Sequence, residues 1–127
     1  MRTEIESTTK VVATLAPAAR TATANGSGVD LANCGQNLII IQGGTRTDGT
    51  HLPTIEESSD NSAFSTVAAG DLAGDVLVAI TTDSIQKVSY IGTKRYIRVR
   101  VTVSGSPATG AVYGAVVALR GGRKQPV

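Results

Sequence analysis

A chain of 127 residues with 14 glycines, 3% aromatics and a formal net charge of +2 has room for one domain and one modest core of Val, Ile, Leu and Ala. One cysteine excludes an internal disulfide, and one cysteine with one histidine cannot build a tetrahedral zinc site within the chain. The charge is unevenly spread: residues 1–86 hold ten acids and four bases, net −6, while residues 87–127 hold eight bases and no acid, net +8. Such a split is met by neutralisation inside one fold, by complementary faces of neighbouring subunits, or by an anionic partner.

The opening "MRTEIESTTK" has no apolar core of the kind a signal peptide carries. "KVVATL" at 10–15 predicts a short strand, which Pro17 ends. Residues 16–28, small and polar, read as an extended arm, so 1–28 is an N-terminal arm with a short strand. A brief strand is expected at 29–31. "QNLIIIQ" at 36–42 is a continuous apolar run, the mark of a strand buried on both faces or central in its sheet. Gly43-Gly44 and Asp48-Gly49 supply turn chemistry. "THLPTIEES" at 50–58 puts Leu52 and Thr54 on one face and Pro53 and Ile55 on the other. Pro53 removes a ladder donor and predicts an edge strand or bulge.

Further strands are predicted at 63–68, 75–82 and 85–92, with a turn or single helical turn at 69–75. "RYIRVRVTV" at 95–103 is the clearest strand, with Ile97, Val99, Val101 and Val103 on the core face and Tyr96, Arg98, Arg100 and Thr102 opposite. "AVYGAVVALR" at 111–120 is the last strand, and 121–127 is a basic tail. Its nine-residue apolar run is too short to cross a bilayer as a helix. No window carries a capped helical period. The sum is an all-β domain over 29–120, a β-sandwich or jelly-roll-like barrel, soluble and assembled in a reducing cytoplasm.

The chemistry an enzyme needs is thin. His51, following the Asp48-Gly49 turn, reads as a solvated loop side chain rather than a catalytic base. Cys34 would act as a nucleophile only with a base beside it, and nothing in the spacing links it to His51. "EESSDN" at 56–61 offers carboxylates without the spacing of a twelve-residue calcium loop. The Gly26–Gly28 and Gly43-Gly44 stretches lack the Lys and Ser/Thr of a phosphate loop. Sheet surfaces that bind nucleic acid interleave bases with stacking aromatics. Only Tyr96 and Tyr90 are at hand, which argues against that partner. Lys10, Arg20, Arg95, Arg98, Arg100, Arg123 and Lys124 are therefore the candidate interface residues, placed for ion pairs within or between subunits. No catalytic residue, cofactor or metal ligand is assigned.

"VDLANCGQNLIIIQGGTRTDGTHLPTIEESSDNSAF", followed by "YIGTKRYIRV", resembles small virion proteins encoded near the major capsid gene of tailed bacteriophages. The likeness runs from about Leu15 to Val103. Its most specific piece is the "EESSDN" loop paired with the "GTKRYIRV" strand. The resemblance implies a capsid decoration or cement protein, commonly a homotrimer, bound to the major capsid protein on the virion surface, with no catalytic residues. A head–tail junction protein is the nearest alternative. A carbohydrate-binding sandwich is a more distant one, since sugars stack on aromatics and this chain has four.

Overall fold

The computed structural model describes residues 4–121. The described residues form ten strands and two short 3-10 turns at Glu6–Thr8 and Ala69–Asp71. The strands are β1 (Thr9–Arg20), β2 (Ala24–Asn25), β3 (Val29–Asp30), β4 (Cys34–Arg46), β5 (Thr50–Ser58), β6 (Ser65–Thr66), β7 (Leu72–Gly74), β8 (Ile85–Tyr90), β9 (Tyr96–Ser104) and β10 (Ala111–Gly121). All pairings are antiparallel. One sheet has the order β1-β10-β4-β8-β7; the second runs β2-β9-β5-β6, with β3 also pairing β9. This is a two-sheet, all-β sandwich, as the strand pattern predicts.

The core lies between the sheets and follows the period-two rule. From the first sheet, Val117, Ile39 and Val88 form one inward row and Ala115 with Ile41 the next. From the second, Ile97, Val99 and Val101 face Ile55 and Pro53 across the β9–β5 ladder. The expected inward set on β9 is thus the core set. Val103, near the strand end, is only half-buried.

Several segments depart from the sequence reading. The expected arm is part of the sandwich. β1 is twelve residues long and pairs with β10 from Thr9 to Arg20, passing through Pro17. Proline is tolerated there because β1 is an edge strand. β2 then joins the second sheet, so the sandwich begins well before residue 29. Gly43 and Gly44 lie inside β4 rather than in a turn. A Cβ at Gly43 would stand 2.7 Å from an Ile80 methyl and 2.8 Å from the Thr81 carbonyl, so glycine here permits the 80–84 segment to cross closely.

Residues 75–82, expected as a strand, join no ladder. The Gln86 side chain takes the place of a neighbouring strand: its Oε1 accepts from Val78 N at 2.8 Å and its Nε2 donates to Val78 O at 2.9 Å. The predicted 63–68 strand shrinks to the two residues of β6. β6 pairs only with Glu56 and Glu57 of β5; beyond it no strand among the described residues pairs the Pro53 half, which single N–H groups of Val67 and Ile80 reach at Ile55 O and His51 O, so the missing proline donor disrupts no ladder.

Candidate interaction surface

Thr14 closes one side of the sandwich. Ala13 pairs with Val116 and Leu15 with Ala115, which leaves Thr14 as a bulge. Its hydroxyl donates to Ser27 O at 2.8 Å and accepts from Val99 N at 3.2 Å. A Cβ on Gly26 would stand 2.5 Å from Thr14 O and 2.7 Å from Val99 O, so only glycine lets β1, β9 and the 25–28 link converge. The other side is open: Leu52, Val67, Leu72 and Leu77 line a groove of about 320 Å³ between β5 and β7.

The outer face of the second sheet is charged but internally neutralised. Glu56 and Arg98 are directly opposed on β5 and β9. Arg98 Nε and Nη2 each reach Glu56 Oε1 at 2.7 Å, and Arg100 Nη1 stands 4.0 Å from Oε2. The Arg98 guanidinium also lies 4.0 Å from the Phe64 ring centroid, a cation–π contact. Arg95 grips Asp30 through two bonds of 2.9 Å. That bond, with the Ala32 N–H behind it, holds the Asp30 carboxyl at about 2. Arg20 donates to Ala16 O and lies over the Tyr113 ring at 5.9 Å. Of the expected interface cations, Arg20, Arg95 and Arg98 are therefore engaged within the chain. Lys10 is exposed at the start of β1. Arg123 and Lys124 lie outside the described residues.

The acidic 56–61 stretch is equally committed. Glu57 accepts from the Tyr90 hydroxyl at 2.6 Å; burial first, and this bond second, push the Tyr90 phenol up to about 12. Asp60 Oδ1 accepts from Ala63 N, Ser62 N and the Ser58 hydroxyl, which lowers its pKa. These oxygens stabilise a turn. Among the described residues no group of three His, Cys, Asp or Glu side chains is placed to hold a metal ion.

His51 is not a solvated loop residue: it is fully buried. It pairs with Val103 in the β5–β9 ladder and points inward. Its Nε2 lies 3.0 Å from Asp48 O, and its Nδ1 lies 3.0 Å from the Tyr113 hydroxyl. A carbonyl only accepts, so Nε2 carries the proton and Nδ1 accepts from Tyr113. Both ring nitrogens are thus satisfied, and the imidazole stacks edge-on to Tyr113 with centroids 5.3 Å apart. The Asp48 carboxylate takes the N–H groups of Ala108, Thr109 and Gly110. Those bonds, Gly110 first, hold its pKa down and pin the 104–110 loop. Cys34 lies at the opposite end of β4 from this cluster, its thiol donating to Gln36 O at 2.9 Å. The two candidate catalytic groups are kept apart by the length of the sandwich.

What sequence reasoning missed is the outer face of the first sheet. Val11, Ala118 and Leu38 form one outward row across β1, β10 and β4; Ala13, Val116 and Ile40 form the next, ending at Lys87 on β8. Val11 is 61% exposed and Ile85 63%. The signal is in the "LIII" and "AVVAL" runs, apolar at every position. The first run reads as buried on both faces or central and the second only as the last strand, yet the described residues pack a second layer against one face alone.

No protein-family model matches the chain, and no curated protein is similar to it by sequence.

Proposed function

We propose that this chain is a structural virion protein that decorates and stabilises a tailed-phage capsid by binding the major capsid protein. The single observation that carries the reading is physical. β4 and β10 are apolar on both sides, and among the described residues one side is left without a covering layer. Strands patterned this way belong to assemblies in which neighbours supply the second cover. The cations and carboxylates of the second sheet are spent on holding the fold, and His51 is spent on the core, so the chemistry is that of a part that works by contact. Many weak contacts repeated over a shell sum to strong attachment. The resemblance of 29–64 and 90–99 to small head proteins points the same way.

The test is the position and copy number of the chain in purified particles. Decoration predicts many copies per particle, distributed over the shell in an electron-microscopy map. A single ring at the portal vertex makes it a head–tail junction protein instead, and absence from particles refutes both.

A further inference from the structure

We infer that the outer face of the first sheet is the surface through which two copies of this chain pack face to face. This rests on the structural-subunit reading above and names one partner for it. β1, β10 and β4 are 12, 11 and 13 residues long. With β8 alongside, strands about 4.8 Å apart and about 3.3 Å per residue cover roughly 650 Å². That is close to the ~800 Å² that one partner contributes to a stable interface.

The chemistry of the face suits a copy of itself. Its outward strand positions carry no carboxylate, and its charges, Lys87 and Arg120, sit on its margin. A charged partner surface would find nothing to pair with at the centre of the face. An identical apolar face would leave no charge uncompensated at the centre. The relief is also self-complementary. Small residues, Ala13 and Ala118, lie beside the taller Leu38, Ile40 and Val116 across the rows. A copy related by a two-fold axis can set its ridges into these hollows at the ~10 Å spacing of packed sheets. At one end, Ile5, Leu38 and Ala118 border a further hollow of about 160 Å³, with room for an aliphatic side chain. A two-fold contact builds even-numbered assemblies, and in this it departs from the trimer that the resemblance implies.

The test is the mass of the purified chain in solution, by light scattering across a dilution series, for wild type, Val116→Glu and Ile40→Lys. Wild type is expected at twice the 13.0 kDa protomer mass or an even multiple of it. Each variant is expected to weaken association by about a hundredfold or more, the loss a charge causes at an interface centre. Both side chains point away from the core, so far-UV circular dichroism should match wild type. A second readout uses no variant: the Tm of wild type should rise with chain concentration, because only the folded state associates. A wild type that stays at one protomer mass with a concentration-independent Tm overturns the inference, as does a multimer that both variants retain. A chain that pairs through this face but is absent from particles removes the decoration reading alone. A monomer found on shells removes this inference alone.

Discussion

Removing the Thr14 hydroxyl should cost far more than an exposed hydroxyl would, because one of its two bonds satisfies a buried N–H. Thr14→Val keeps the shape and the β-branching at the bulge and deletes two hydrogen bonds. Ser27 is exposed, so its carbonyl can turn to water and loses little. Val99 is fully buried; its N–H sits between the short pairings of β2 and β3 along β9 and has Thr14 Oγ1 as its partner, at 3.2 Å. Leaving a buried donor unpaired costs about 1–3 kcal/mol, and the lost bond to Ser27 adds about 0.5 kcal/mol. The total is about 2–3 kcal/mol. For a domain of this size that lowers Tm by roughly 10 °C. The assay is thermal unfolding followed by circular dichroism, with Thr14→Ser as the control that restores the hydroxyl and recovers most of the loss. A Thr14→Val chain that melts within about 2 °C of wild type would refute the claim that this bridge joins the two sheets.

Gly26→Ala should destabilise by about 1–3 kcal/mol, because the new methyl meets backbone oxygens of both sheets; an unchanged Tm would show that β1 and β9 separate freely. Glu56→Ala should cost about 1–2 kcal/mol by leaving the half-buried Arg98 without its carboxylate, and a double-mutant cycle with Arg98→Ala should return a positive coupling; strict additivity contradicts the pairing. In acid, Asp30, Asp48 and Asp60 have folded-state pKa values below their ordinary 3.8, so their stabilisation is complete above that value and is lost as pH falls toward about 2, where Asp30 protonates. Urea midpoints from pH 5 downward should fall in that window, less steeply in Asp48→Asn; a flat profile would contradict the assigned bonds. In alkali, tyrosinate absorbance should show a component near pH 12 that is missing in Tyr90→Phe, and its persistence in that variant would reassign it.

Local alternation was legible wherever one face of a strand meets the core and the other meets water. "RYIRVRVTV" is the case in point: its odd positions pack inward and its arginines pair outward, as period two demands. Pro53 announced an edge strand or a bulge because a missing donor cannot sit inside a continuous ladder, and the first holds: among the described residues no second strand pairs β5 at that position. The N-terminal strand is legible at 10–15, but its continuation to Arg20 was hidden by Pro17 and a run of alanines. Neither favours a strand, and pairing with β10 overrides both. Residues 75–82 have the composition of a strand and lack the partner, since a glutamine side chain fills its place. That substitution depends on residues brought together by the fold. His51 illustrates the same limit: a loop histidine and a core histidine read identically until the fold brings up the hydroxyl of Tyr113, 62 positions away, to donate to its ring. The apolar outer face was visible in the letters of β4 and β10, and only the sheet order shows that none of the described residues forms a layer over it.

The account's central claim is that neighbours complete this sandwich. An electron-microscopy map of intact particles tests it most directly. The account predicts copies spread over the shell with the β1-β10-β4-β8 face of each pressed against a second copy. Copies standing alone with that face turned to solvent, or particles that lack the chain, would contradict it.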